Sequence, residues 1–278
     1  MAVGKNKRVS KGGRKGAKKK IVEPMLRKEW YDVIAPATFK ERQAAKTICS
    51  KTQGLKIAAD NLRGRVFDIF QSDLSDKKGA PTADSNEAFR RVKLEVMECQ
   101  GRNLLTQFHS MHLTTDKLRS LIQKWGTLIE APIEAKTADG YTLRLFITAF
   151  TKKQKNQLSK NSYAPRRLEK WIRYRMTQMV QKRLAKSTID ETVKLLTTDV
   201  LINAIAARCN PILPLRDVKF TKVKTVRRPK LDMAKLLDSH TDEKNPIPDS
   251  IEGQERIAQV VEVAEEAAPA DADAAKAE

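Results

Sequence analysis

The segment IEAPIEAKTADGYTLRLFITAF, Ile129 to Phe150, contains two strand-like stretches on either side of one turn signal. Residues 129–135 and 141–150 place apolar side chains at every second position over most of their length, as half-buried β-strands do. Between them, Thr137-Ala138-Asp139-Gly140 ends in Asp-Gly, a pair that supplies the positive φ angles of a tight turn. We therefore predict a β-hairpin here and interpret the rest of the chain from it.

The hairpin leads directly into a cationic segment, LFITAFTKKQKNQLSKNSYAPRR, Leu145 to Arg167. From Lys152 to Arg183 there are eleven Lys or Arg residues and one acid, Glu169. A solvated helical face usually contains Glu spaced to pair with Lys or Arg, and that spacing is missing here. The composition favours contact with RNA, with a solvated charged face as the alternative.

Further elements follow from periodicity and capping. Residues 65–70 and 91–96 read as strands, and 216–230 reads as an extended basic run. One helix should open at Thr114 or Thr115 and stop at Gly126, with an apolar face that consists of Leu118, Leu121, Ile122 and Trp125. The capping box Thr188–Glu191 should open a helix with a single apolar stripe over Val193, Leu196, Val200, Ala204 and Ile205.

A third helix should begin near Pro165, a residue suited to the first helical turn. Its apolar stripe is predicted to face the core and consists of Leu168, Trp171, Ile172, Met176, Met179, Val180 and Leu184. Strands come first and helices are inserted or late, without regular βαβ alternation. This order predicts an α+β fold.

Charge divides the 278-residue chain, whose net charge is +20, into three parts. Residues 1–20 have nine cations and no acid, and residues 238–278 have twelve acids and three bases. Both ends are predicted to be disordered extensions, because neither can bury enough apolar area to fold alone. Their charges cancel, so the α+β body, residues 21–237, carries the whole excess and is the predicted rRNA-binding part.

No catalytic, cofactor or metal site is predicted. His109 and His112 have a ligand-like spacing near Cys99, but they are predicted to lie between a strand and a helix start, and the four-ligand set of structural zinc is missing. The sequence contains no phosphate-binding glycine loop and no nucleophile elbow. Cys49, Cys99 and Cys209 form no C-x-x-C pair, which favours unpaired thiols in a reducing compartment. No apolar run is long enough to span a bilayer, and the N-terminus has no apolar leader.

A polyanion is the partner that this charge favours, and nucleic acid is preferred over an anionic membrane because the aromatic face of a membrane-surface helix is absent. Composition does not separate RNA from DNA, since neither a DNA-binding spacing nor an RNA-binding aromatic motif is present. The lack of a sequence-reading module favours backbone contact with one folded RNA. A chromatin protein, an RNA-modifying enzyme and a membrane-surface adaptor remain the alternatives. In the N-terminal extension the candidate RNA contacts are Lys5, Lys7, Arg8, Lys11, Arg14, Lys15, Lys18, Lys19 and Lys20. In the body they are Lys152, Lys153, Lys155, Asn156, Gln157, Lys160, Tyr163, Arg166, Arg167, Arg173, Lys222, Lys224, Arg227 and Arg228.

Several blocks together resemble a eukaryotic and archaeal family of small-subunit ribosomal proteins, the S-three-a (e-S-one) family. The blocks keep the family's order over roughly residues 1–240. They are Lys28–Pro36, Thr52–Gly54, Leu62–Phe67, Ile129–Ala131, Lys136–Tyr141, Phe150–Gln157, Ser162–Ala164, Pro214–Val218 and Arg228–Lys230. Pro132 and Pro165 depart from the family's usual residues, and the acidic tail is longer than in many members.

The resemblance implies a non-enzymatic structural protein built as an irregular β-barrel with attached helices. It further implies a place on the platform of the small (40S) subunit, beside the messenger exit channel and the 3′ end of the small-subunit rRNA. The implied partners are neighbouring ribosomal proteins, messenger RNA and initiation factor three, in the cytoplasm after nucleolar passage, with no membrane and no cofactor. Trp30 and Tyr31 have two interpretations, a hydrophobic anchor, which is preferred, and base stacking.

Overall fold

The structure, a computed structural model, describes residues 23–75 and 88–241. The extension at 1–20, with its nine candidate cations, and most of the acidic extension at 238–278 lie outside the described residues. The disorder predicted for residues 1–20 and for most of 238–278 therefore concerns residues outside the described part of the chain, whereas residues 238–240 are helical.

The described residues form eight strands and seven α-helices, and a 3-10 helix at Pro24–Arg27 precedes the first strand. The strands are β1 (Lys28–Ile34), β2 (Gln43–Ser50), β3 (Val66–Phe70), β4 (Arg90–Gln100), β5 (Asn103–Leu113), β6 (Leu128–Lys136), β7 (Thr142–Thr151) and β8 (Leu215–Arg227). The helices are α1 (Ala58–Leu62), α2 (Gln71–Leu74), α3 (Thr115–Leu121), α4 (Arg166–Leu184), α5 (Ile189–Thr197), α6 (Val200–Cys209) and α7 (Met233–His240). The α+β class is confirmed, and so are the strands predicted near 65–70, 91–96 and 216–230.

All eight strands belong to one sheet, with the path β2-β1-β5-β8-β7-β6. Strand β5 is the branch point, because one of its edges pairs with β4 and the other pairs with β1 and then β8. Only the β1–β5 pair is parallel. In the described residues the ends of the path, β2 and β6, do not pair with each other. The sheet is therefore open and does not close into the irregular β-barrel that the resemblance implies.

The predicted hairpin is present as β6 and β7, which pair in register from Leu128–Phe150 to Lys136–Thr142. Only Gly140 in its turn has a positive φ angle, at 88°. Asp139 has another role, since its carboxylate accepts a hydrogen bond from the backbone N–H of Ile189 at 2.7 Å. The turn thereby fastens the hairpin to the first residue of α5.

Helix α4 covers the outer edge of β6. Its buried residues Ile172, Met176, Val180 and Leu184 join the main core with the inward side chains of the hairpin. Each such buried side chain contributes about 1.5–3 kcal/mol. Two α4 side chains also reach carbonyl oxygens of β6: Arg173 Nε donates to Glu130 O, and Gln181 Nε2 to Glu134 O, both at 3.0 Å. These bonds satisfy edge groups that another strand could otherwise pair with.

Helix α3 is shorter than predicted, ending at Leu121 rather than at Gly126. Thr114 is its N-cap, as one of the two predicted alternatives required. The chain then turns away, and Trp125 adopts a left-handed conformation with φ at 70°. The helical spacing of residues 118–125 predicted too long a helix. Trp125 O instead accepts a hydrogen bond from Ser162 N, in the segment after β7, at 2.9 Å.

The single stripe predicted after the capping box is wrong, since α5 and α6 are separate helices. The capping box itself is present, with reciprocal bonds between Thr188 and Glu191. The break lies at Asp199, which has a φ of 57°. Buried Arg90 bonds to the Asp199 carboxylate and donates to Thr197 O at 2.5 Å, and Lys219 lies 3.1 Å from the same carboxylate. A partner distant in sequence thus fixes a break that local pattern does not reveal.

Helix α7 crosses the position, 237/238, at which the charge pattern divides body from acidic extension. It is fastened to the sheet at its last turn, where the buried His240 ring nitrogen Nε2 bonds to Thr106 O at 2.8 Å. Arg42 bonds to His240 O, and Ala37 N donates to Ser239 O at 2.9 Å. Burial lowers the pKa of His240 to about 4, so the ring stays neutral at physiological pH.

Candidate nucleic-acid interface

The loop 152–165, between β7 and α4, is fixed at its base by hydrogen bonds. The buried Thr151 hydroxyl accepts from Thr127 N at 2.9 Å and donates to Ser162 O at 2.5 Å. Ala164 N donates to the Thr127 hydroxyl at 2.9 Å. A Cβ on Gly126 would lie 3.2 Å from Thr151 O, so a glycine allows the close approach. The segment before β6 therefore clamps the loop on both sides.

The tip of the loop is organised by Gln157. Its side-chain oxygen accepts from Gln154 N at 3.3 Å, and its Nε2 donates to Ser159 O at 3.2 Å and to Asn161 O. Gln157, a predicted RNA contact, thus uses its amide within the loop. The side chains of Lys152, Lys155 and Asn156 are left exposed.

We define the loop–helix surface as the loop 152–165 together with the outward residues of α4. Its predicted cations Lys152, Lys153, Lys155, Lys160, Arg166 and Arg167 are all exposed. None of them forms an ion pair with any residue that the structure describes; Lys153 reaches only a carbonyl, Leu158 O, at 3.4 Å. The one acid of α4, Glu169, pairs with Arg173 at 3.0 Å. Arg173, also predicted as a contact, is therefore bonded within the protein.

Aromatic rings lie among these cations. Lys160 Nζ is 4.7 Å from the ring centroid of Trp125, and Arg175 is 5.9 Å from that of Trp171. Such distances permit cation–π attraction. The predicted contact Tyr163 has an exposed ring. Trp125 was interpreted as part of an apolar helix face and Trp171 as part of the core stripe, and both interpretations are wrong because both rings are exposed.

The predicted cations of β8 are separate from this loop. Lys222 pairs with Phe146, six residues before Lys152 along β7, which places it about 20 Å from the loop base. We call Lys93, His112, Lys222 and Lys224 the sheet surface; three of them line a groove of about 550 Å³ whose wall includes Phe146. Repulsion from Lys224 is the main cause that lowers the pKa of Lys222. Lys93 was not among the contacts predicted from the sequence, although it lies in the alternating pattern that predicted β4.

The last two predicted cations differ from each other. Arg228 forms two hydrogen bonds to the carboxylate of Glu95, one of them at 2.8 Å, and is thus bonded within the protein although the residue is exposed. The bond to Glu95 is the main cause that raises the pKa of Arg228. Arg227, its neighbour, is also exposed, and the residues around the two arginines do not distinguish one from the other. Local sequence could not separate the two, because the partner carboxylate is on β4.

His109 and His112 lie in β5, a strand that the sequence did not reveal, and not in a connection between a strand and a helix. They face different acids: His109 Nε2 is 3.6 Å from Glu95, and His112 Nε2 is 3.7 Å from Asp68. Burial is the main cause that lowers the pKa of both rings. Within 23–75 and 88–241, no group of three or more potential ligands could hold a metal ion.

Other predicted features have mixed outcomes. Tyr31 is buried, as the anchor interpretation requires, whereas Trp30 is exposed and does not act as an anchor. The three cysteines are free thiols, with Cys49 and Cys209 buried. In the described part of the chain, no helix is both long enough and apolar enough to cross a membrane.

Comparison with known proteins gives the family of the chain. The model of the Ribosomal S3Ae family matches residues 16–229. Small ribosomal subunit protein eS1B of Trypanosoma cruzi (strain CL Brener) is 57% identical over 274 residues, covering 99% of this chain and 100% of that protein. Small ribosomal subunit protein eS1A of the same organism is 56% identical with the same coverage. The chain therefore belongs to the Ribosomal S3Ae family.

Proposed function

We propose that this protein, a structural constituent of the small ribosomal subunit, binds small-subunit rRNA through its loop–helix surface. The observation that carries the proposal is a fixed loop that leads into α4. The six predicted cations of the loop and of the first turn of α4 form no ion pair with the described residues and lie next to exposed aromatic rings. Each of these cations can neutralise a phosphate and release condensed counterions. No step of this role requires catalysis.

The clamped base of the loop supports the proposal on energetic grounds. A loop that is ordered before binding loses less conformational entropy when it meets the RNA. The base of the loop is ordered by hydrogen bonds among Thr127, Thr151 and Ser162, and the tip by those of Gln157. The lysines therefore project from a loop that is already ordered. The loop 152–165 itself contains no acid, and Glu169 of α4 is already paired with Arg173.

The sheet surface supports a second contact. Lys93, Lys222 and Lys224 are close enough for mutual repulsion to matter, and an RNA phosphate among them would relieve it. The cations of residues 1–20 would add further phosphate contacts. Asn156 and Tyr163, exposed on the loop, can bond sugars and stack on bases.

The finer location follows from the family resemblance and remains part of the proposal. We place the protein on the platform, near the messenger exit channel and the 3′ end of the rRNA, beside other ribosomal proteins. There it would support subunit assembly in the nucleolus and initiation in the cytoplasm, close to messenger RNA and initiation factor three.

Incorporation into ribosomes tests the proposal. Replacement of Lys152, Lys153 and Lys155 by Glu, in cells depleted of the native chain, should remove most of the protein from the small-subunit peak of a sucrose gradient. The reason is that three attractive phosphate contacts become repulsive.

A matched control replaces three exposed lysines that lie outside the loop, towards the turn end of the hairpin, by Glu: Lys136, Lys186 and Lys194. Both triple variants change the net charge equally. The proposal requires that the control enters subunits better than the loop variant. Equal incorporation of the loop variant and the native chain would refute it, and an equal loss in both variants would assign the effect to total charge.

A further inference from the structure

Helix α4 has two chemically different sides. One side is core, with Ile172, Met176 and Val180 fully buried. The opposite side carries Arg167, Trp171 and Tyr174, at positions i, i+4 and i+7 on one face. Half of each aromatic side chain on that face is open to solvent: 51% of Trp171 and 56% of Tyr174. A large apolar surface that the fold does not bury marks an interaction site.

This face forms a shallow cleft of about 530 Å³, lined by Arg167, Leu168, Lys170, Trp171 and Tyr174. Its walls are held in place. Gln178 Nε2 donates a hydrogen bond to the Tyr174 hydroxyl, and Arg175 lies 5.9 Å from the Trp171 ring centroid. Both rings therefore have intramolecular contacts that orient them, while part of each remains accessible.

The charge of the cleft points to its occupant. Arg167, Lys170 and Arg175 flank the two rings, and the only acid of the helix, Glu169, is paired with Arg173 on the inward side. The ligand should thus be flat, to stack on an indole, and anionic, to meet the three cations. An unpaired nucleotide has both properties, and base–aromatic stacking beside cations is how single strands are bound without sequence preference.

We propose that the Trp171–Tyr174 cleft binds unpaired RNA, with a base stacked on Trp171 and its phosphates contacting Arg167 and Lys170. The inference rests on the proposed function and makes it more specific. The cleft on α4 binds single-stranded segments, whereas the loop lysines contact phosphates of single-stranded and paired RNA alike. A duplex has no accessible base face, so the cleft distinguishes the two forms.

The test compares two RNA probes on the full-length protein: a labelled 12-nucleotide single strand of mixed sequence, and a hairpin whose fully paired stem is closed by a non-nucleotide linker. Trp171→Ala should weaken single-strand binding about 5- to 50-fold. Hairpin affinity should change by less than about twofold, because phosphate contacts are retained. Trp171→Phe, which keeps an aromatic face, should recover most of the single-strand affinity.

Fluorescence provides an independent measurement. In a chain carrying Trp30→Phe and Trp125→Phe, Trp171 is the only remaining one of three tryptophans. The single strand should quench its emission, whereas the hairpin should quench it little. Circular dichroism on Trp171→Ala checks that the helix is intact, which is expected because the ring is exposed.

The outcomes separate the two proposals. If the native chain binds neither RNA, the proposed function itself fails. If it binds both and Trp171→Ala leaves single-strand affinity unchanged, or weakens both probes equally, the cleft is not a base-binding site. Quenching of Trp171 by an acidic peptide but not by the single strand would also overturn the inference, in favour of a protein partner.

Discussion

The loop–helix surface and the sheet surface are both cationic, but they use their charges differently. On the loop–helix surface the predicted cations of the loop form no ion pairs with described residues, and the rings around them are exposed. Around the sheet surface, acids are interleaved: Glu95 holds Arg228, and Asp68 lies near Arg91 and His112. A count of cations does not reveal this difference.

The difference shows that the partner of each cation decides its function. A cation bonded to a buried or half-buried carboxylate contributes to folding, and its removal leaves that carboxylate unsatisfied. A cation without a partner contributes little to the free energy of unfolding and remains available for phosphate. Substitutions on the two surfaces should therefore separate stability from RNA affinity.

The largest effect is expected from the loop cations. Replacement of Lys152, Lys153 and Lys155 by Ala should weaken binding to purified small-subunit rRNA about 100-fold, because three charge-assisted contacts are lost. The slope of log affinity against log salt should decrease by about 2–3. Filter binding at several salt concentrations measures both, and an unchanged slope would show that these lysines do not touch phosphates.

The clamp at the loop base should give the next largest effect. Thr151→Val keeps the shape of the side chain but leaves Thr127 N and Ser162 O without their partner. We expect a loss of about 1–3 kcal/mol in the free energy of unfolding and a severalfold loss in RNA affinity. Urea denaturation measures the first quantity.

Thr148→Val is the matched control, since it is the same change on the same strand. The Thr148 hydroxyl makes only a long contact, 3.4 Å to Thr221. A loss equal to that of Thr151→Val would mean that the loop clamp contributes nothing specific.

Beside the sheet surface, Arg228→Ala should cost about 1–2 kcal/mol of unfolding free energy, because Glu95 loses both hydrogen bonds from the guanidinium. RNA affinity should change little, since the guanidinium of Arg228 is already bonded to Glu95 and is not available to a phosphate. Arg227→Ala, one residue away and exposed, should stay within about 0.5 kcal/mol of the native chain. Chemical denaturation of the two variants compares them, and the reverse ranking would contradict the assignment.

The smallest effect concerns His112. Burial is the main cause that lowers its pKa, and the charges of Lys93, Arg91 and Lys222 lower it further. Lys222→Gln should therefore raise the pKa of His112 towards its ordinary value without reaching it. NMR titration of the three histidines measures the shift. Lys224→Gln is the control. An unchanged pKa of His112 in Lys222→Gln would show that the charge of Lys222 does not act on this histidine.

The pH dependence of stability has a definite sign at this site. Because the folded-state pKa of His112 lies below its unfolded value, protons bind the unfolded chain first as the pH falls below about 6.5. The contribution of the neutral ring to the free energy of unfolding is then lost as the pH falls further. Lys222→Gln should reduce that loss, and denaturation between pH 7 and pH 5 measures it.

Local pattern predicted the elements whose cause is local. The β6–β7 hairpin, the start of α4 at Pro165 and the capping box at Thr188 each follow from residues within a few positions of one another. The cationic composition of the loop was equally visible, because no tertiary contact is needed to count charges. Strands β1, β2 and β5 were missed because their polar and apolar residues do not alternate clearly.

What the sequence by itself determined is the class of the fold, the family resemblance and the excess charge of the body. Only the tertiary structure decided that the sheet is open, that Arg90 breaks the α5–α6 stripe, and that Trp171 faces outward. It also decided which cations are available, since Arg228 and Arg173 bond to carboxylates, whereas Arg227 and Arg167 have no such partner among the residues that the structure describes. The physical reason is that ion pairs and burial depend on groups brought together from distant positions, which a one-dimensional pattern does not contain.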